Sequence, residues 1–524
     1  MNILKKFNEN SEIIKKVINF NKSIKSKNNI DTDSLILLEF TTNKSLQACF
    51  SIFLNTLQKI KKSKLVAYNS DLNISQKHKI RKYFSNIYKN FNYKIFESFG
   101  VNEFIYIEKN KQIIKKVSEV LKKKKFKITS KQKLLKLKIN NVWIGDLIYD
   151  SYLAKYSIPT VDFKSKEFLL FYKDFLTGFF FWEEFFLKNN VKSVIGSHSV
   201  YQTAIPMRIG ASKKIDVFQV NFHNLFRLNK KKLFAYDLFK DYKKIFSKFK
   251  KNYQNKAIKL ARKKCKKRFD GIAGVDMHYS SKSAFNNFDV SKKYLNQNQK
   301  KKILIAAHCF LDNPHPYGID SLFNDFYEWL DFLAKFSKKT NFEWYIKSHP
   351  DFKPETQKII NNFVTKYKNL KLLPSNTSHH QIIKEGISCV LTVHGTIAWE
   401  YAYFNIPVIN ASQNNPHIDF NFSYHPKNII EYKKAILNFD KLNLNFSKKE
   451  IYKFYFMHNI YRNSDWIIDD IDKFLFEIKG YKNISNLIFY KNFLKKTNRI
   501  KVKKISNQIY NFLKSDNFLI PRKI

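Results

Sequence analysis

The chain has 524 residues, a length that suits two or three domains better than one hydrophobic core. Hydrophobic residues make up 44% of the composition, which predicts a globular protein, and the formal net charge is +52. Lysine greatly outnumbers arginine and is scattered through every segment, whereas specific readers of nucleic acid rely on arginine. We therefore expect a solvated basic surface that attracts phosphates nonspecifically, and no specific nucleic-acid partner.

Cysteine spacing and hydropathy exclude two further classes. The four cysteines are far apart and show no metal-ligand spacing, which predicts a reduced protein without structural zinc or another metal site. No stretch reaches the ~20 apolar residues of a membrane span, and the N-terminal segment has no apolar run of signal-peptide length. The expected location is cytoplasmic, with peripheral binding to the inner, anionic face of the cell membrane as the association that the charge suggests.

The first half of the chain alternates strand-like and helix-like patterns, the βαβ order of a Rossmann-like domain. A Lys-rich, polar stretch at about 236–300 interrupts this order and predicts an interdomain linker. The predicted elements before it are strands at 34–40, 64–68, 192–196 and 216–220, and helices at 44–61, 166–188 and 201–209.

A second βαβ series follows the linker, and helices rich in lysine and aromatic residues complete the chain. The pattern predicts an α/β fold of two Rossmann-like domains facing a cleft, with C-terminal helices. The predicted elements are strands at 302–307, 344–347, 370–373 and 389–393, and helices at 319–335 and around His380. The predicted domains are 1–240, a basic linker at 241–300, a second domain at 301–430 and a helical segment at 431–524.

Polar loops follow three strands of the second domain. The loop after the first strand contains His308, Asp312 and His315, and the next strand ends in Lys347 and His349. Carboxyl ends of parallel strands meet at one edge of a sheet, where phosphates of nucleotides commonly bind. These side chains are therefore candidate nucleotide ligands, with turn and capping roles as the structural alternative.

The third loop belongs to the most informative unit of the chain, VLTVHGTIAWEYAYFNIPVINAS. A short buried strand ends at His394, Gly395 and Thr396, and a short helix follows. Thr396 is placed to cap that helix, whose N–H groups favour a phosphate. Glu400 lies one turn further, on the face from which its carboxylate would reach a ligand's hydroxyl groups. The alternative is an ordinary βαβ turn in which Glu400 is solvated.

The order AHCFLDNPH, IKSHPDF, TVHGTIAWEYAYFNIPVINA and NPHIDFNFSYHP resembles the capsular and surface polysaccharide biosynthesis glycosyltransferases, which have the GT-B fold. The resemblance covers about 300–428 and is fainter at 143–153 and 193–211. It implies that the second domain binds the nucleotide-sugar donor and the first binds the acceptor. It also implies donor-binding roles for His349, His394, Gly395, Thr396 and Glu400.

Relatives of this kind often place a catalytic acid in the N-terminal domain, which makes Asp146 and Asp150 candidate general bases, with helix capping as the alternative for Asp146. His198 and Asp312 are further catalytic candidates, and Arg208 and His223 are candidates for acceptor or phosphate binding. No Asp-x-Asp pair follows a predicted strand, so we expect a metal-independent mechanism without a cofactor. Lys347, His349 and the helix dipole at Thr396 would then neutralise the departing phosphate.

The sequence predicts a glycosyltransferase that moves a sugar from a nucleotide-sugar donor to a surface glycan, of capsular or lipopolysaccharide type, or to its lipid-linked acceptor. Two alternatives remain open. One keeps the fold and changes the chemistry, to a teichoic-acid-like glycerol-phosphate transferase or a nucleotide-sugar epimerase. The other is a non-catalytic protein that binds glycans or polyanions, with an affinity that falls steeply with salt.

Overall fold

A computed structural model of the chain describes residues 2–25, 29–69, 91–286 and 291–521. Within these ranges the long strands form two separate, largely parallel sheets. Apolar side chains of the second sheet alternate between two core clusters, with Ile303 and Ile305 in one and Leu304 in the other, so both faces of that sheet are covered. The predicted α/β class with two Rossmann-like units is confirmed.

The first sheet has the order β3-β2-β1-β6-β7-β8 in the described ranges, and its neighbours are parallel except for β7 and β8. The order reverses between β1 and β6, which creates a topological switch point. The strands are β1 Asp31–Glu39, β2 Ser63–Asn69, β3 Val101–Tyr106, a separate hairpin of β4 Lys138–Ile139 and β5 Val142–Trp143, β6 Asn190–Gly196, β7 Asp216–Val220 and β8 Leu225–Leu228.

The second sheet is parallel throughout and has the order β11-β10-β9-β12-β13, with its switch point between β9 and β12. Relative to chain order, both sheets follow the doubly wound pattern of dinucleotide-binding folds. The strands are β9 Lys302–Ala306, β10 Glu343–Lys347, β11 Leu370–Leu372, β12 Cys389–Thr392 and β13 Val408–Asn410.

Helices of the first half connect the strands of the first sheet, and the predictions for 44–61 and 166–188 match the observed bounds. Their α-helices are α1 Asn2–Ile24, α2 Lys44–Lys61, α3 Phe91–Ser98, α4 Lys111–Lys122, α5 Lys131–Leu135, α6 Gly145–Tyr156, α7 Lys166–Lys188 and α8 Ile205–Ser212. Short 3₁₀ helices span Lys124–Phe126, Gln202–Ala204 and Ala235–Asp241.

Helices of the second half begin inside the predicted linker. They are α9 Tyr242–Ser247, α10 Lys251–Phe269, α11 Phe326–Ser337, α12 Pro354–Lys366, α13 His379–Lys384, α14 Ile397–Tyr403, α15 Ile429–Leu437, α16 Lys448–Tyr455, α17 Ile471–Glu477, α18 Leu487–Lys496 and α19 Arg499–Lys514. 3₁₀ turns span Phe439–Lys441 and Tyr481–Ser485, and a π-helix spans Phe456–Tyr461. The helix predicted from residue 319 begins at Phe326, because the Asp325 side chain accepts the Glu328 N–H and caps it.

The segment predicted as an irregular basic linker, 241–300, is helical over most of 242–269 and forms no helix or strand in 270–286 and 291–300. Many of its lysines lie on the exposed face of the 19-residue helix α10. The opposite face of this helix buries Ala257, Ala261 and Cys265. These three positions are spaced by four residues and form one helical stripe, which packs against α16. This stripe was not predicted from the sequence because its three side chains are small and lysines surround them in the sequence.

The C-terminal helices pack across both sheets. Tyr432 and Ile436 of α15 join the core of the second sheet, while α18 and α19 return to α2 of the first. The Arg227 guanidinium donates to the carbonyls of Phe512 (3.1 Å) and Leu513 (2.9 Å), which ties the end of α19 to β8. Within the described ranges, no helix combines the length and the apolar character needed to cross a membrane.

Candidate active site

The loops after β9 and β12 flank the switch point of the second sheet and bring His308 and His394 together, with ring centroids 4.9 Å apart. His308 Nε2 accepts the Val393 N–H (3.1 Å), and its ring stacks on Phe326 at 4.4 Å. Burial lowers the pKa of His308 well below its ordinary value and that of His394 to about 4. Both imidazoles are thus neutral at pH 7. Among the described residues, the buried Nε2 of His394 has no hydrogen-bond partner.

Gly395 packs closely against Thr392 at this edge, and the Thr396 side chain hydrogen-bonds to Glu400. A Cβ at Gly395 would lie 2.8 Å from Thr392 Oγ1, the atom that accepts the Gly395 N–H at 3.2 Å. The prediction that Thr396 caps α14 is wrong, because its backbone is helical (φ −58°, ψ −23°) and its side chain makes no capping hydrogen bond. Thr392 supplies the side-chain acceptor of this loop instead.

Lys347 ends β10 with its side chain buried, and only 3% of the residue is exposed. Its Nζ donates to the Ser348 carbonyl at 3.3 Å, and no carboxylate of the described residues lies within 4.0 Å. Burial lowers the pKa of Lys347 to about 8. The Glu400 carboxylate acts on this charge from a distance, but within the described ranges the ammonium group at the strand end has no ion pair.

His349 stands beside this lysine and is half-buried. Its Nδ1 accepts the Asp351 N–H at 3.1 Å, which leaves the ring proton on Nε2. Burial and then the Lys347 charge lower the pKa of His349 to about 4. His349 is thus a neutral N–H donor adjacent to a buried cation, a pairing suited to phosphate oxygens.

Glu400 is engaged by an arginine from another helix. Its Oε1 accepts from Arg268 Nε at 2.7 Å, and Arg268 also approaches Asp276 Oδ2 at 3.4 Å. Burial raises the pKa of Glu400, and the Arg268 charge acts against that rise. The predicted contact with substrate hydroxyls is replaced by an ion pair that ties α14 to the end of α10.

His315 is fully engaged between the two sheets. Its Nδ1 contacts Asp150 Oδ1 at 2.6 Å and its Nε2 donates to the Asn324 carbonyl at 3.0 Å, with the residue 1% exposed. Burial raises the pKa of Asp150 to about 6. Burial opposes a charged His315, yet the Asp150 carboxylate raises the pKa of this imidazole on balance. The predicted donor contact is thus replaced by a buried contact between α6 and the loop after β9.

Asp312 and His198 are the exposed catalytic candidates. Asp312 Oδ1 accepts from Tyr201 Oη at 2.5 Å, so this carboxylate lies where the β9 loop meets the segment after β6. His198 follows β6, and its Nδ1 contacts Ser197 Oγ at 3.0 Å. The Ser197 N–H donates to Glu39 Oε2 at 2.6 Å across the switch point of the first sheet.

Asp146 and Arg208 form an ion pair with each other. Arg208 donates to Asp146 Oδ2 at 2.6 Å, and both side chains are 2% exposed. The Arg208 guanidinium also lies 4.9 Å from the Trp143 ring. Neither the predicted general base nor the predicted acceptor ligand faces solvent, because each satisfies the other's charge on burial.

His223 follows β7 and stacks on His278, with centroids 5.1 Å apart. Burial, followed by the charges of His278 and Arg462, lowers the pKa of His223 to about 3. Its buried Nδ1 has no hydrogen-bond partner in the part of the chain that the structure describes. Both acceptor-side candidates have a buried polar atom without a partner in the described ranges, Nδ1 of His223 and Nε of Arg208, but the charge of Arg208 is already paired with Asp146.

Residue patterns missed Arg268 and Arg462, which lie in the predicted linker and the C-terminal segment. The sequence could have indicated both residues, because arginine is rare in this chain and suits buried ion pairs better than lysine. The described ranges hold no group of three or more His, Cys, Asp or Glu side chains arranged to bind a metal.

No family model and no curated protein matches the chain. Among solved structures, it is similar to the KpsC β-Kdo 2,7 transferase of Thermosulfurimonas dismutans, with 15% identity, 58% of this chain and 85% of that chain covered, and a TM-score of 0.29. It is also similar to the UDP-GlcNAc 2-epimerase of Neisseria meningitidis, with 12% identity, coverage of 81% and 96%, and a TM-score of 0.21. A structure of the wall teichoic acid polymerase TagF gives 10% identity, 98% coverage of both chains and a TM-score of 0.20. Scores of this size do not establish a shared family.

Proposed function

We propose that the chain is a glycosyltransferase that moves a sugar from a nucleotide-sugar donor to a surface glycan or its lipid-linked acceptor. The observation that carries the proposal is the buried, uncompensated Lys347 ammonium beside the His349 Nε2–H at the carboxyl edge of a parallel sheet. A buried cation without an ion pair is costly, and a phosphate would supply the missing charge. The dinucleotide-fold order of the sheet supports the same edge as the ligand site.

In this proposal, Lys347 and His349 hold the donor's phosphates, and the neutral His308 and His394 line the switch point where the sugar lies. Two positive or donating groups on the phosphates stabilise the negative charge that develops when the glycosidic bond breaks. The reaction then needs no metal. His394 Nε2, which is buried without a partner among the described residues, is available to a sugar hydroxyl.

The proposed general base is Asp312, with His198 as the second candidate. Asp312 is an exposed carboxylate on a loop of the second sheet and contacts Tyr201 from the first. It would accept the proton of the acceptor hydroxyl as that oxygen bonds to the anomeric carbon and the nucleotide departs. Asp146 is less suited, because its ion pair with Arg208 holds both carboxylate oxygens in the core.

The proposed acceptor is a capsular or lipopolysaccharide-type glycan, reached from the inner face of the cell membrane. The excess of lysine supports binding at the inner face of the membrane, since lysines close to a bilayer are attracted to anionic lipid. No observation favours a phosphotransferase or an epimerase over a glycosyltransferase. The product of the reaction distinguishes them.

The proposal is tested by nucleotide release from a panel of CMP-, CDP-, UDP- and GDP-sugars, with product analysis by mass spectrometry. Asp312→Asn should lower kcat by about 10²–10⁴ with little change in donor affinity. The matched control is Asp419→Asn, an exposed aspartate in the same half of the chain, which should retain activity. Release of nucleotide without a new glycosidic product, or an unchanged rate in Asp312→Asn, would contradict the assignment of the reaction or of the base.

A further inference from the structure

We propose that Arg462 forms a second oxyanion site, separate from Lys347, which holds a carboxylate or phosphate ester carried by the acceptor. This inference rests on the proposed function, because it names the chemistry of the acceptor for the same transfer. It gives the C-terminal segment a role in substrate recognition.

The position of Arg462 is fixed against the carboxyl edge of the first sheet. The residues that follow it bind the loop after β7: Ser464 Oγ donates to the His223 carbonyl at 3.2 Å, and the Asp465 N–H donates to the same oxygen at 3.1 Å. Trp466 Nε1 donates to the Asn221 carbonyl at 2.9 Å. Arg462 therefore lies on the side that the proposal gives to the acceptor.

The charge of Arg462 has no carboxylate partner in the part of the chain that the structure describes. No carboxylate oxygen within the described ranges lies within 4.0 Å of its nitrogens, and its buried Nε has no hydrogen-bond partner there. Its guanidinium lies 4.6 Å from the ring centroid of Tyr236. By contrast with Arg208 and Arg268, which each make a buried ion pair, the Arg462 guanidinium hydrogen-bonds to the neutral hydroxyls of Tyr236 and Tyr242, which leaves its charge for a planar oxyanion.

Polar and aromatic groups around Arg462 come from both halves of the chain. Tyr236 lies 5.3 Å from the ring of Tyr317, and Tyr317 lies 5.0 Å from the ring of His394. His223, whose buried Nδ1 is unpaired in the described structure, is close enough to Arg462 for that charge to lower its pKa. The site thus borders the loop proposed to hold the donor sugar and faces the first sheet.

The positive charges of Arg462 and Lys347 act on different neighbouring histidines. Burial lowers the pKa of His458, His223 and His349, and the Arg462 charge lowers the first two further whereas the Lys347 charge lowers the third. The Arg462 charge also acts on Tyr317 of the loop after β9. One charge therefore belongs to the first sheet's edge and the other to β10. Separate anions on two substrates, rather than one pyrophosphate, fit this division.

The backbone before Arg462 is unusual as well. Phe456–Tyr461 form a π-helix, a rare conformation found frequently at functional sites. The Arg462 N–H bonds to the Met457 carbonyl at 3.2 Å, which ends this wide turn directly at the arginine. The π-helix thereby sets where the guanidinium emerges.

The site is tested by modifying the full-length protein with phenylglyoxal, which reacts with free guanidinium groups, and measuring each arginine by peptide mass spectrometry. Glucuronate supplies a carboxylate and glycerol 3-phosphate a phosphate ester, with glucose and glycerol as neutral controls. At ten times its Kd, the matching anion should slow modification of Arg462 about tenfold. The exposed Arg499 should react at the same rate throughout. Protection by one anion identifies the oxyanion, and protection by neither overturns the proposal.

A nucleoside diphosphate arm separates this site from the donor site. CDP and UDP should leave Arg462 unprotected, and equal protection by either would overturn the assignment to the acceptor. Arg462→Gln should abolish stabilisation by the matching anion while leaving any nucleotide-induced rise in thermal midpoint intact. Failure of the donor assignment is read independently, as a nucleotide response that is absent from the wild type or unaffected by Lys347→Met.

Discussion

Four of the chain's arginines show how a lysine-rich protein uses the guanidinium group. Arg208 and Arg268 make buried ion pairs, Arg227 donates to main-chain carbonyls, and Arg462 lies over a tyrosine ring. Lysine would keep the charge but lose the planar fork that makes several contacts at once. Lys347 is the exception, a buried ammonium that donates to the Ser348 carbonyl and has no ion pair in the described ranges, which is what a phosphate site requires.

The lowered pKa of Lys347 predicts a pH dependence of nucleotide binding. Only the ammonium form attracts phosphate, so affinity should be full below about pH 8, the pKa set by burial, and fall by up to about tenfold per pH unit above it. In the empty protein the same shift makes folding stability rise from about pH 8 to 10.5, because the unfolded chain holds the proton longer.

Calorimetric titration of the responding nucleotide between pH 7 and pH 10 measures this dependence. Lys347→Met should bind weakly and without the fall above pH 8. Lys371→Met, which removes an exposed lysine from the neighbouring strand β11, should behave as the wild type. A wild-type affinity that is constant across this range would contradict phosphate binding by Lys347.

At the scale of elements, the strands and their polar ends follow from the sequence, but the partners of those ends do not. Hydrophobic runs predicted β9, β10 and β12 within one residue at either end, and hence which residues lie at the carboxyl edge. Which of them stay accessible depends on contacts between distant segments, such as His315 with Asp150 and Glu400 with Arg268. No local pattern encodes these pairs, since 165 and 132 positions separate their members.

The contact of α6 with the β9 loop predicts strong coupling between Asp150 and His315. Asp150→Asn or His315→Gln alone should each lower the free energy of unfolding by about 3 kcal/mol, because each leaves a buried partner unsatisfied. The double variant should lose less than the sum, with a coupling of about 1–3 kcal/mol in urea denaturation.

The control for this cycle is the exposed pair Lys301 and Asp440, 3.1 Å apart. Its removal should change stability by no more than about 0.5 kcal/mol. Additive losses at Asp150 and His315 would show that the two residues act independently and that α6 is not held to the loop by their contact.

For the whole molecule, the sequence predicted the two Rossmann-like units but not the helices in the first half of the segment between them. Composition alone suggested a linker at 241–300. Within it, α10 is a packed helix, and its Arg268 donates to Glu400 on α14, the helix that follows β12. The C-terminal helices likewise reach both sheets, a result of tertiary packing that helical periodicity does not encode. The net charge of +52 and the scattered lysines predicted a solvated basic surface, and the buried Lys347 departs from that general prediction.

The proposed membrane association has a specific surface to test, the lysine groove. This groove contains Lys125, Lys133, Lys136 and Lys138. Each lysine near an anionic bilayer contributes about 1 kcal/mol at low salt, so changing all four to glutamine should weaken binding to phosphatidylglycerol vesicles on the order of a thousandfold. Co-sedimentation at increasing salt measures the effect.

Changing four lysines of α18 and α19 to glutamine provides the matched control for net charge. These are Lys491, Lys495, Lys503 and Lys504, all of them exposed. Equal weakening by both quadruple variants would show that total charge, rather than the lysine groove, governs the attraction.

The most direct test of the central claim, that the edge of the second sheet binds a nucleotide-sugar donor, is the thermal midpoint of the protein with CMP, CDP, UDP and GDP. A ligand of the folded state at a hundred times its Kd adds about 2.7 kcal/mol of stability. We predict that one nucleotide raises the midpoint of the wild type and of Lys371→Met, and that Lys347→Met and His349→Ala lose the rise. No rise with any nucleotide at millimolar concentration, or an equal rise in all four proteins, would contradict the claim.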